Sequence, residues 1–464
     1  MKTMQTTTRS RKVLRRTLAF LLPVFCCPVM AKSAPLVRPE FVQQQKQATK
    51  KVILPSGVTV ILRQLPGSGI TSLALGFRAG YSALPAGRRV LPDLMFGSMA
   101  KAARGYPKVK MNALTEKYSI GIGCGSGIEF SNCSMTSLSE YWDKALPAFA
   151  AVVASPLFDA ADLQLQRERL EASYQSMSEE PGSYSNDVVN RIFYPVGHPY
   201  RLLREEALKE LADMRRDEVV AYHKSVMAGS PPIIVVVSDL PDDKVIADLQ
   251  RHFGKWSGKP AQLPDVPVPS FDSGTAFAIE DRDIPTAYIR FKFPAVAAAA
   301  KDSVASRLLF EILSEELWDE VRTRRSLSYG VGAAQVQYRM GIGSISVSTS
   351  KPQEALDAIA GVVQRVKSKK FAKADLDRFK VVFSTSYFAT QETHGSLAGA
   401  LLTSWQYFGT TDRLYDLPAE LDRVTPEDIQ RIAGDVLKQM RVGVVYSKAK
   451  FNAAWVNAFN EKLR

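Results

Sequence analysis

Histidine and cysteine are scarce, four of each among 464 residues. The histidines are His198, His223, His252 and His394, and no two lie three to five positions apart. A zinc pair carried by one helix needs spacing near i,i+4, so that both rings share a face. Without that spacing, solvated or structural roles are expected for all four. Cys26 and Cys27 lie in an apolar N-terminal stretch, which leaves Cys124 and Cys133 in the rest of the chain. With no histidine near them they do not make a zinc site by spacing. A disulfide between them and two free, half-buried thiols both remain open. After the N-terminus no long apolar run without charges recurs, so no stable membrane insertion is expected. G-x-S-x-G elbows, Walker-type loops and C-x-x-C pairs are also missing.

Acids are missing from the first sixteen residues, which hold six bases: Lys2, Arg9, Arg11, Lys12, Arg15 and Arg16. Those six account for much of the net charge of +13, because the remaining 54 basic residues face 47 acidic ones. A surplus that small on a chain this long gives no reason to expect nucleic-acid binding. The basic stretch leads into TLAFLLPVFCCPVMA and then KSAP. A charged region, a short apolar region and the small-x-small triplet Val29-Met30-Ala31 make a signal peptide over residues 1–31, cleaved after Ala31. The apolar run is broken by two prolines and is short for a bilayer span. Arg15-Arg16 and Cys26 leave twin-arginine and lipid-anchored variants of the same export signal open. The mature chain is expected to be soluble and exported, to the periplasm.

The sequence is written twice. ALPAFAAVV at 145–153 is echoed by ALDAIAGVV at 355–363, and FDAADL at 158–163 by FAKADL at 371–376. Tyr194 then corresponds to Tyr407, and Arg201-Leu202 to Arg413-Leu414. Each copy closes on a β-rich run, IIVVV at 233–237 and VGVVY at 442–446. KPAQLPDVPVPS at 259–270 holds four prolines and reads as a stiff, extended connector. Two domains are therefore expected, at 46–255 and 272–464, joined by a linker over 256–271. Strands are predicted at 51–54 and 57–63 around Pro55-Ser56-Gly57, and at 72–79, 117–123, 128–137 and 286–293. Strands in adjacent runs before helical stretches favour an antiparallel α+β fold over a doubly wound sheet.

Two segments carry possible chemistry. GIGCGSGI at 121–128 has alternating glycines, but a phosphate loop needs a helix after it. Alternating IEFSNCSMTSL follows instead, so the glycines are read as a hairpin turn. EELWDEVRTRRSLSYGVG at 315–332 reads as an amphipathic helix to about Arg324, then a turn and a strand from Ser326. It places Arg322 and Tyr329 seven apart across the boundary, and guanidinium and phenol are both good donors to a carbonyl or an oxyanion. A basic helix end complementing the dipole, followed by a core tyrosine, is the simpler alternative.

The whole pattern resembles the pitrilysin-like zinc peptidases, the inverzincins, over nearly all of the mature chain. ILPSGVTVILRQLPGSGITSLALGFRAG looks like the family's opening hairpin and first long strand, and the double domain is similar. RTRRSLSYG looks like the second-domain signature, in which an arginine and a tyrosine assist catalysis; the resemblance gives those roles to Arg322 and Tyr329. The family's H-x-x-E-H zinc motif corresponds to RVLPDLMFGSM at 89–99, with Arg89 and Asp93 at the histidine positions and Pro92 at the general base. Arginine does not ligate zinc, proline has no side-chain base, and Asp93 is one ligand where three are needed. The helix is expected to start at Pro92, where proline is tolerated. The downstream glutamate ligand falls in RERLEASYQ, near Glu168 and Glu171.

The resemblance thus implies a non-catalytic subunit that binds no cofactor itself. A homologous H-x-x-E-H partner would carry the zinc, and peptides would be the substrates. The alternatives are a peptide-binding or scaffold protein without proteolytic role, and a zinc peptidase using unusual ligands around Asp93.

Overall fold

A computed structural model describes residues 35–256, 258, 263–270, 276–369 and 371–464. The signal-peptide reading and part of the expected linker lie outside these residues. Among the described residues eleven strands form two sheets. In the first half they are β1 (Thr49–Ile53), β2 (Thr59–Gln64), β3 (Ile70–Phe77), β4 (Gly121–Ser126), β5 (Ser131–Leu138) and β6 (Ile233–Ser238). In the second they are β7 (Phe277–Asp281), β8 (Ala287–Ala295), β9 (Gly330–Gln337), β10 (Gly341–Thr349) and β11 (Arg441–Tyr446).

The sheet orders are β1-β2-β6-β3-β5-β4 and β7-β11-β8-β10-β9. Apart from the extra β1 the two orders are the same, so the sequence repeat is a repeat of topology. Each sheet is antiparallel except for one parallel pair, β2 with β6 and β7 with β11. This is the α+β arrangement expected, with helices packed on both sheets.

Burial explains the strand patterns. β5 alternates buried and exposed residues, because only one of its faces is covered. β11 is buried at every position and β6 at nearly every one, which accounts for the unbroken isoleucine and valine run of β6 and the valines of β11. Their second face is covered by a helix from the other half. The helix Pro181–Phe193 packs on β8 and β11, and the helix His394–Phe408 packs on β3 and β6. Glycine permits each approach. A Cβ on Gly443 would stand 2.5 Å from the backbone N of Val189, and one on Gly76 would stand 2.7 Å from a Leu402 methyl. The two halves interlock through this exchange.

Two sequence expectations need correction. Residues 117 and 118 close the helix Lys108–Tyr118, which ends at Ser119 in the left-handed region (φ 50°), so the strand begins at Gly121. The glycine-rich segment is itself strand β4, an edge strand, and the turn is confined to 127–130. Cys124 and Cys133 are direct cross-strand partners in this hairpin and form a disulfide, with Cα atoms 4.0 Å apart.

Candidate functional site

The helix Leu91–Met99 starts where proline allows, with Pro92 in its first turn. No side chain of its own caps it. Glu210 does so from a distance, accepting the backbone N–H groups of Gly87 and Val90 at 2.9 Å each. Arg89 is buried beside this cap and donates to the carbonyls of Arg201 and Gly197. It is therefore committed to holding the 197–201 loop. Asp93, one turn on, is half-buried and accepts the Ser126 hydroxyl. Burial raises its pKa above the usual carboxylate range, and the serine bond opposes that only in part. Asp93 sits among phenols, and burial together with its charge raises the pKa values of Tyr81, Tyr174 and Tyr222.

The helix Ala160–Glu179 crosses this one. A Cβ on Gly97 would meet the Gln166 amide at 2.4 Å. The stripe Gln166, Leu170, Tyr174, each four residues on, is therefore the face turned toward Asp93. Glu168 lies off it, exposed and accepting from Gln164 at 2.9 Å. Glu171 is one residue past Leu170 and so about 100° around the helix from it. Among the described residues no three His, Cys, Asp or Glu side chains converge as metal ligands. Zinc does not fit here: one position is a guanidinium bonded to carbonyls, one is proline, and the facing helix offers an amide, a leucine and a tyrosine. His198 and His223 are buried and bond the carbonyls of Pro267 (2.8 Å) and Val153 (2.9 Å), which is structural use.

The second cluster is built around Arg322 and Tyr329. The helix Ser303–Leu317 widens into a π-helical turn over Trp318–Arg324. Such turns often mark functional positions. The chain leaves it through Ser326, in the left-handed region (φ 51°), and enters β9 at Gly330. Glu320 anchors the turn: it is buried and accepts Arg325 at 2.7 Å, with Arg324 and Arg365 at 3.5 and 3.4 Å.

Arg322 lies 4.0 Å above the Trp318 ring and 4.9 Å from the Tyr329 ring. Stacking occupies the faces of the guanidinium and leaves its N–H edge for a ligand. Tyr329 is 85% exposed, so it is not the core tyrosine of the simpler reading. Among the described residues no hydrogen bond, ion pair or ring contact joins this cluster to Asp93. Trp318 was not singled out from the sequence, although its position four residues before Arg322 is a legible helical-face signal.

Residues 213–381 match the family model described as the peptidase M16 inactive domain. No curated protein matches the sequence. Among solved structures, the peptidase M16 inactive domain from Pseudomonas fluorescens superposes with a TM-score of 0.78 at 19% identity, covering 86% of this chain and 98% of that one. A protease from Helicobacter pylori gives 0.77 at 15% identity, over 86% and 98%. The periplasmic protease PqqL from Escherichia coli gives 0.75 at 13% identity, over 87% of this chain and 46% of that one. At these identities the structures show a shared fold.

Proposed function

We propose that this chain is a pitrilysin-like (M16) protein of the non-catalytic kind and the zinc-free subunit of an exported heterodimeric peptidase, a reading supported by the match of residues 213–381 to the peptidase M16 inactive domain and by the shared fold. Its own residues supply the donors. Arg322 and Tyr329 hold a peptide backbone carbonyl and stabilise the oxyanion that develops when a homologous H-x-x-E-H partner, which carries the zinc, attacks it. The observation that carries this reading is the contrast between the two clusters. The metal positions have been turned to structural use, while Arg322 is presented with a free N–H edge beside an exposed phenol. Export to the periplasm is supported by the basic-then-apolar N-terminus and by the Cys124–Cys133 disulfide, which persists in oxidising compartments.

The test is reconstitution. The mature chain alone is expected to hydrolyse no peptide, and mixing it with its H-x-x-E-H partner is expected to produce activity. In the pair, Arg322→Ala should lower kcat/KM by roughly 100-fold or more, the scale for losing one oxyanion donor. Tyr329→Phe should lower it by a smaller factor. Unchanged kinetics from the double variant would remove both residues from the mechanism. Recovery of the chain with peptides or unrelated proteins, and no zinc-bearing homologue, would transfer the assignment to a scaffold or peptide-binding role.

A further inference from the structure

A second cationic site lies away from Arg322. Arg307, on the helix Ser303–Leu317, reaches toward the helices Lys373–Ala389 and His394–Phe408. Its guanidinium lies 5.0 Å from the Phe383 ring and 5.7 Å from the Tyr387 ring. Among the described residues no carboxylate comes within ion-pair distance of it and no hydrogen bond to it is formed. Burial lowers the Arg307 pKa, opposed by Tyr387 and by Glu311, which is exposed one turn along the same helix.

Two cavities share Arg307 and Tyr387 as walls. One, of about 450 Å³, is bordered by Trp318, Phe379 and Phe383, but also by Glu311 and Glu315. The other, of about 250 Å³, is lined by Ala400, Thr403, Phe408, Leu414 and Leu417, and no acid lines it. Its second cation, Arg413, is already engaged by Glu420 and by the Ser303 hydroxyl at 2.8 Å.

A half-buried guanidinium with no anion is an expensive thing to keep, and the two rings offset that only in part. Ring stacking takes its face; its in-plane N–H fork is the part that matches a carboxylate. Apolar walls with a few polar groups are the usual form of a small-molecule site, and beside Arg307 this cavity presents Ser303, Gln337, Tyr387, Ser404 and Arg413. We propose that the 250 Å³ cavity binds a small carboxylate with an apolar body, the carboxylate on Arg307 and the body against Leu414 and Leu417. The inference is independent of the peptidase reading, since it uses neither Arg322 nor a partner.

The experiment is calorimetric titration of the full mature chain with octanoate, with 1-octanol as the neutral comparison. Octanoate should bind one site per chain, roughly tenfold or more tighter than octanol, the range for a charge-assisted hydrogen bond. Arg307→Met keeps the aliphatic stem; it should bring octanoate down to octanol's affinity and leave octanol unchanged. Thr403→Phe, on the exposed rim, should block both ligands without touching the core. Thermal melts establish that each variant is folded. Should Arg307→Met fail to fold, Arg307→Lys keeps the charge but loses the fork, and is expected to weaken octanoate selectively. The proposal is overturned if octanoate does not bind, if octanol binds equally well, or if a folded Arg307 or Thr403 variant binds octanoate as tightly as the natural chain.

Discussion

At the scale of single residues, the three positions that the resemblance sets against a zinc motif are put to other uses. Arg89 is consumed by backbone carbonyls, Pro92 offers no side-chain base, and Asp93 is held by Ser126 with its pKa raised by burial. All three residues are legible in the sequence. What the sequence does not show is that Gln166 lies against Gly97 and Tyr174 interacts with Asp93, while Glu168 is exposed, because that depends on how two helices cross. Lys292 on β8 is another residue whose surroundings the sequence does not show. It is 8% exposed, donates to the Asn190 side chain at 2.5 Å, and lies 5.4 Å from the Tyr194 ring.

Burial, helped by Arg290, lowers the Lys292 pKa to about 7. In the unfolded chain the group titrates near 10.5. Below about pH 7 both states are protonated and the fold carries the full cost of a buried charge. Between the two values the unfolded chain binds the extra proton, so stability rises with pH and the cost is gone above the unfolded value. Lys292→Met is therefore expected to melt several degrees higher than the natural chain at pH 6, with the gap closing toward pH 10. A gap independent of pH, in melts across that range, would contradict the assignment.

At the scale of elements, hydrophobic pattern located most strands correctly and failed where glycine replaced pattern. β3, β6 and β11 are legible as largely apolar segments of strand length, and β8 as an alternating one. β4 was read as a turn because alternating glycines carry no burial signal; its identity comes from pairing with β5 and from the Cys124–Cys133 bond. The exchanged helices depend on glycine in another way. At Gly443 the obstacle is backbone, at Val189 N and Ser185 O, so an added methyl has no flexible neighbour to displace. Gly443→Ala should cost about 1–3 kcal/mol, the range for overpacking. Gly76→Ala meets the side chains of Gln406 and Leu402 and should cost less. Chemical denaturation of the two variants measures the difference; equal values would mean that the helices yield as readily as side chains do.

At the scale of the molecule, a buried charge network ties the halves. Glu129, 1% exposed in the β4–β5 turn, accepts Arg339 of the β9–β10 turn at 2.8 Å and also the Tyr200 hydroxyl. Phe130 beside it meets Tyr407 edge-on at 5.2 Å. Removing one partner of such a pair leaves a desolvated charge, so Arg339→Ala should lower stability by about 3–5 kcal/mol. Glu129→Gln together with Arg339→Met should recover much of that loss in the same unfolding assay. If the double variant is no better than the single, the cost lies in lost packing.

The repeat and the α+β class are legible in the amino-acid sequence, because residue type and hydrophobic pattern are translated directly by local chain geometry. The zinc-motif positions Arg89, Pro92 and Asp93, and the pair Arg322 and Tyr329, come from the resemblance to the pitrilysin-like peptidases. Tertiary structure alone decided that each half's helix covers the other half's sheet, and that Arg322 is stacked on Trp318 with Tyr329 exposed. It also decided that Glu129 meets Arg339 and that Arg307 stands without an anion between two cavities. These depend on contacts between residues far apart in the chain. Periodicity says which face of an element is apolar, and it does not say which distant face will cover it.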